Sequence, residues 1–148
     1  VQLKIADQVA PELGLNLIKA PVTVSSEVMQ AAQSLAGRVD AIYLPTDNMV
    51  ISSISSVIKV AEENKIPLIA GESNSVEAGA LATIGIDYYK LGQTTAEMAL
   101  RVINGEKPQD MALQGQEGTD LVITLKAAEK IGITVPEDVL ARANNVIK

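Results

Sequence analysis

VDAIYLPTDNMVISSISSVIKVAEENKIPLIAGESNS, residues 39–75, reads as one complete strand-helix-strand unit, and the rest of the chain falls into place around it. Its first six residues, VDAIYL, are short, β-branched and almost wholly apolar, the composition of a strand buried on both faces. Pro45 ends that strand, and Thr46, Asp47 and Asn48 follow at its carboxyl end, the place where open α/β sheets bind ligands. Over residues 49–64 the apolar positions Val50, Ile51, Ile54, Val57, Ile58 and Ala61 recur at i, i+3, i+4 and i+7, opposite serines and charges. That spacing predicts one amphipathic helix lying on a sheet. IPLIA (66–70) returns as a second buried strand and delivers Gly71, Glu72, Ser73, Asn74 and Ser75 to the same rim as a second small polar loop.

The chain has 148 residues, enough for one α/β domain, and 47% of them are hydrophobic. Phe and Trp are absent and the three aromatics are Tyr43, Tyr88 and Tyr89, so the core is aliphatic. A formal net charge of −6, with no long Lys/Arg cluster, argues against nucleic acid as a partner. The chain has no His and no Cys, which removes Ser-His and Cys-His dyads, thiolate nucleophiles and the usual zinc ligands. Glycine spacings of dinucleotide folds, phosphate loops and nucleophile elbows are also absent, so no cofactor is expected.

In chain order, residues 1–13 predict a helix with Val1, Ile5, Val9 and Leu13 on one face and a kink or early end at Pro11. Gly14 stops it, and 15–22 read as the next strand. A helix in a doubly wound domain follows a strand, so a strand is expected ahead of this one, lying between 15–20 and 39–44 in the flavodoxin-like order 2-1-3-4-5. Either a longer parent or a second copy of the chain has to supply it. Ser25 or Ser26 caps a helix through Leu35, with Gly37 past its end. Residues 80–86 form a strand, Asp87 caps a helix over 88–104, and 106–118 are an exposed loop with a short extended piece at 111–113. Residues 119–125 form a last strand, Thr124 caps a helix through Ile131, and Thr134 with Glu137 predicts a capping box for a terminal helix over 135–147.

The polar residues at carboxyl ends of these strands, Thr46, Asp47, Asn48, Glu72, Ser73, Ser75 and Asp87 with Tyr88 beside them, form the candidate site. Carboxylates hold an ammonium, hydroxyls and helix N-termini hold an acid, and a tyrosine face covers apolar surface, so the set suits a small zwitterion. Asp47 and Asp87 stand where helix caps stand, and spacing alone does not choose between cap and ligand contact. Glu72 shows no capping role in the sequence and is the stronger candidate. Tyr43, inside a strand, is expected to pack.

The segments DAIYLPTDN, GESNSVEAGALATIGIDYY and LGQTTAEMA, with the tail LKAAEKIGITVPEDVLARANNVI, resemble the ABC-transporter substrate-binding proteins of the tryptophan/tyrosine-binding type. That resemblance implies a two-lobed periplasmic-binding-protein fold of class I, with three strands crossing between lobes and an amino acid or similar solute held in the cleft. It implies no catalysis, a membrane permease as partner, and a place outside the cytoplasm, periplasmic or as a lipoprotein. Carried onto this chain, the binding candidates are again Thr46, Asp47, Asn48, Glu72, Ser73, Ser75, Asp87 and Tyr88, with Glu72 where the family often has Asp. Family members are about twice as long. The expected division is therefore a carboxyl-terminal lobe over 1–79 lacking its first strand, a hinge strand, helix and loop of the other lobe over 80–118, and a return strand with terminal helices over 119–148. The effector-binding core of lactose-repressor-type regulators is the alternative from another class.

Overall fold

In the computed structural model, which describes residues 2–115 and 119–148, five strands form one sheet in the order β1-β2-β3-β4-β5. They are β1 (Ile42–Leu44), β2 (Leu68–Glu72), β3 (Ala82–Ile86), β4 (Asp120–Thr124) and β5 (Asn145–Ile147). The first three are parallel, β4 runs antiparallel to β3, and β5 runs parallel to β4. Around them stand α1 (Gln2–Glu12), α2 (Val28–Leu35), α3 (Asn48–Ile51), α4 (Ile54–Glu63), α5 (Ser73–Ala78), α6 (Tyr88–Ile103), α7 (Leu125–Ile131) and α8 (Glu137–Arg142). This is the expected α/β class, a mainly parallel sheet flanked by helices.

The core lies on one face of the sheet. Ile42, Leu44, Leu68 and Ala70 pack there against Val28, Ala32 and Leu35 of α2 and Val57, Ile58, Val60 and Ala61 of α4. Burying these aliphatic side chains contributes about 1.5–3 kcal/mol for each large one, which is what holds helices to strands in a chain so poor in aromatics. The other face is thinly covered. Tyr43, registered with Ile69, is 46% exposed, and Ile84 is 67% exposed. The expectation that 39–44 is buried on both faces is therefore corrected, and so is the packing role of Tyr43: alternate residues of a strand point to opposite faces, and only one face of β1 is covered.

Other local readings shift for identifiable reasons. The helix expected over 49–64 is split into α3 and α4, because Ser52 Oγ donates to the Met49 carbonyl at 2.7 Å and Ser53 leaves helical geometry. Pro11 sits inside α1 without ending it. So near the carboxyl end only one amide bond is forfeited, and Leu13 N–H still reaches the Val9 carbonyl at 3.1 Å. The face of α1 expected to be covered, Ile5, Val9 and Leu13, is exposed, Ala10 being the buried residue of that helix, while Val1 lies outside the described residues. Residues 15–22 are extended and set Ile18, Ala20 and Val22 against the core, but they join no ladder.

The caps also differ. Glu27, rather than Ser25 or Ser26, closes the entry to α2 by accepting from Thr23 N–H at 2.9 Å and Thr23 Oγ1–H at 3.1 Å, and those bonds hold its carboxyl below the usual range. Thr124 stands at the N-cap of α7 without a side-chain bond, and the Thr134–Glu137 capping box is not made, Pro136 taking the N-cap of α8. Helix α8 ends at Arg142, and the expected continuation to 147 is instead β5. Leu121 N–H donates to Asn144 Oδ1 at 2.9 Å while Asn144 N–H donates to the Leu121 carbonyl at 2.8 Å, docking the β-branched residues Val146 and Ile147 on β4. A 3-10 turn, Pro108–Asp110, precedes the expected extended piece at 111–113, where Met111 is extended, Leu113 is fully exposed and no ladder forms. Residues 116–118 of the expected loop lie outside the described residues.

Candidate functional site

Parallel strands β1, β2 and β3 end on one rim, and each hands over to a helix through an acidic residue. Asp47 Oδ1 accepts from Met49 N–H at 3.0 Å and Val50 N–H at 3.1 Å and so caps α3. Asp87 Oδ1 accepts from Tyr89 N–H at 2.8 Å and Lys90 N–H at 3.3 Å and caps α6. Glu72 caps α5: Oε2 accepts from Asn74 N–H at 2.9 Å, and Oε1 accepts from Ser75 N–H at 2.8 Å and from the Ser75 hydroxyl. The reading that Glu72 has no capping role is overturned. A glutamate reaches back to the second and third amides from a fully extended residue, a geometry that residue type alone does not announce.

Burial sorts the eight candidates. Asp47, Asn48 and Tyr88 are exposed on the rim, and Thr46, Ser73 and Asp87 are half-buried in it. Glu72 and Ser75, at 2% and 1% exposure, are turned inward and bonded to each other. The structure brings all eight to one end of the sheet, and six of them reach its surface. Glu72 and Ser75 hold the first turn of α5, while Ser73 Oγ donates to the Ile86 carbonyl at 3.4 Å and ties the second loop to the end of β3.

The loops sit close because Gly71 has no side chain. A Cβ there would lie 2.8 Å from Thr46 Oγ1 and 3.2 Å from Thr46 N. Gln2 is a rim residue that sequence reading missed. Its Oε1 accepts from Thr46 N–H at 3.0 Å and its Nε2 donates to Thr46 Oγ1 at 3.5 Å, so α1 begins at this rim. No local signal marks a glutamine that reaches a residue 44 positions away. Beside Asp87, Lys90 Nζ pairs with Asp120 at 2.5 Å, and the Asp120 hydrogen bond holds the Lys90 ammonium above its ordinary range. Helix α6 buries none of its residues. Among the described residues no three His, Cys, Asp or Glu side chains gather as metal donors, and no helix is long and apolar enough to cross a membrane.

This rim can hold a small polar molecule by carboxylate, hydroxyl and amide groups, with Tyr88 as an aromatic wall. Known proteins place it in context. The family model described as ABC transporter substrate binding protein matches residues 1–147. A tyrosine-binding protein of Clostridioides difficile is 42% identical over 132 residues, which are 87% of this chain and 38% of that protein. An ABC domain from Streptococcus pneumonia, solved in complex with L-Trp, superposes with a TM-score of 0.91 at 32% identity, over 99% of this chain and 50% of its own. The ligand-free, open structure of a substrate binding protein with adhesive properties from Clostridium difficile gives a TM-score of 0.74 at 39% identity, over 99% of this chain and 49% of its own. The chain thus spans about half the length of these solved relatives, and less than that of the tyrosine-binding protein.

Proposed function

This chain belongs to the ABC transporter substrate-binding protein family, and on that premise we propose that it is one lobe and the hinge region of a solute receptor that binds an aromatic amino acid and presents it to a membrane permease. The observation that carries the reading is the rim itself: three parallel strands end in Asp47, Ser73 and Asp87 on three adjoining loops, next to an exposed tyrosine. Both helix bonds of Asp47 fall on Oδ1, so its Oδ2 meets the ligand's ammonium. Thr46, Asn48 and Ser73 bond its polar groups, and Tyr88 lies against its ring. Glu72 and Ser75 act one layer below, by fixing the turn that presents Ser73. The receptor acts outside the cytoplasm and, as a member of a substrate-binding family, holds its solute without turning it over.

In this reading residues 80–118 are the hinge strand, helix and loop that lead to a second lobe, β3 being the strand that stays in the sheet between β2 and β4, and 1–79 with 119–148 build the rest of the lobe described above. Two observations support that division. Helix α6 finds no core on this sheet, and the match falls from the L-Trp complex to the ligand-free open relative although the sequence identity of the latter is higher. Such a drop is expected when one part of a chain shifts as a body. Calorimetry on the full-length receptor tests the binding reading: Asp47→Asn should weaken L-tyrosine or L-tryptophan at least tenfold, the loss of one charge-assisted hydrogen bond of about 1.5–3 kcal/mol. Unchanged affinity in that variant would place the ligand elsewhere.

A further inference from the structure

At the end of the sheet away from the rim, a cavity of about 290 Å³ opens between α5, α7 and β5. Strand β4 runs antiparallel to β3, so its last residue, Thr124, lies beside the start of β3, and its N–H donates to the Leu81 carbonyl at 2.9 Å. The extended chain between Leu81 and Asp87 puts the cavity about 20 Å from the rim. Val76 of α5, Ala127 of α7 and Ile147 of β5 give it apolar surface. The side chains of Lys126, Lys130 and Lys148 stand there against only two carboxylates, Glu62 and Glu77, in a chain whose net charge is −6. Lys130 pairs with Glu62 at 2.6 Å. Lys126 makes no ion pair among the described residues and sits four positions before Lys130 on one face of α7, where like charges repel. Thr124 lines the same cavity at 4% exposure, and its side chain makes no bond to the helix it precedes.

We propose that this cavity is a second ligand site, separate from the rim, for a small aliphatic carboxylate. The carboxylate meets the Lys126 ammonium and accepts from the Thr124 hydroxyl, while the tail lies on Val76, Ala127 and Ile147. With Lys130 and Glu62 paired, the remaining side chains carry one excess positive charge, which selects a monoanion. The volume is that of about ten liquid waters, room for an acid of about six carbons and too little for a peptide. None of the eight rim candidates lines the cavity, so the site stands whether or not the receptor reading does.

The test uses the full-length protein, with sodium 4-methylpentanoate as probe and amide chemical shifts as readout. Saturable shifts are expected at Glu77, Lys126 and Ala127 at about millimolar probe, with Asn48 and Asp87 unmoved and with the same midpoint when L-tyrosine is present. Lys126→Gln should weaken the probe about tenfold, and Thr124→Val, which keeps the shape and removes the hydroxyl, about threefold or more. Uncharged 4-methylpentanamide should not saturate these shifts. Equal weakening by Lys107→Gln, at an exposed lysine outside the cavity, would reduce the effect to the general field of the protein and overturn the proposal. Saturation by the amide at the same concentration, shifts confined to the rim, or no saturable shift at all would also overturn it. Failure of L-tyrosine to bind, with the probe still shifting Lys126, would remove the receptor reading alone.

Discussion

Replacing Glu72 by Ala separates the two jobs a carboxylate can have on this rim. In the native protein its oxygens accept from Asn74 N–H, Ser75 N–H and the Ser75 hydroxyl, and both Glu72 and Ser75 are almost wholly buried. Losing an N-cap costs about 0.5–2 kcal/mol. Burial adds to this, because water cannot replace the acceptor: one orphaned buried donor costs about 1–3 kcal/mol. The sum expected for Glu72→Ala is about 1.5–5 kcal/mol. Asp47→Ala removes the same number of amide acceptors at an exposed cap, where water takes over, and is expected to cost about 0.5–1 kcal/mol. With a urea slope of about 2 kcal/mol per molar, Glu72→Ala should lower the midpoint by about 0.75–2.5 M and Asp47→Ala by about half a molar or less. Ligand affinity should move the other way, with Asp47→Ala the weaker binder once both are measured well below their unfolding midpoints. Equal midpoint shifts in the two variants would refute the argument that burial decides the role.

Gly85→Ala forces a Cβ against the Gly71 carbonyl and to 2.6 Å from Thr83 Oγ1, so a loss of about 1–3 kcal/mol is expected in denaturant melts. Gly92→Ala, in open space on α6, should instead gain about 0.5–1 kcal/mol, and a loss there would contradict the helix. The Glu27 carboxyl is held below its ordinary value of 4.5 chiefly by Thr23 N–H, so the folded state binds this proton less readily than the unfolded one. Its stabilisation is complete above the ordinary range and fades as pH falls through the lowered value; the Thr23 amide resonance, followed by NMR, should titrate there, and a Glu27→Gln variant should lose that step. Lys90→Ala should speed amide exchange in the first turn of α6 while leaving the unfolding midpoint of the sheet in place, and a midpoint falling with it would show that α6 is part of that cooperative unit.

The parallel half of the sheet was legible because its signals are local. Residues 42–44 and 68–72 alternate or run apolar between turn residues, and the caps at Asp47 and Asp87 follow from residue type and position. What escaped depends on partners far along the chain. β5 is a strand only because β4 offers it an edge, against a local pattern at Thr134 and Glu137 that favours helix. Residues 15–22 have the composition of a strand, yet a ladder takes two. In the site, residue types announced the rim, but which carboxylate turns inward was decided by the packing of α5, the helix Glu72 caps, against β2, β3 and β4. Glu72, read from sequence as the freest of the three, is the most enclosed.

Helix α6 has 16 residues and so extends about 24 Å, anchored at its first turn by Asp87 and by the ion pair from Lys90 to Asp120. It is in effect a lever with its fulcrum on the rim. Turning it by about ten degrees about that first turn carries Ile103 through about 4 Å, while the atoms around Asp87 hardly move. The arrangement therefore works in either direction: a strain of a few tenths of an ångström at the rim becomes a displacement of side-chain size at the far tip, and a push on the tip is returned to the rim with its amplitude reduced and its force multiplied.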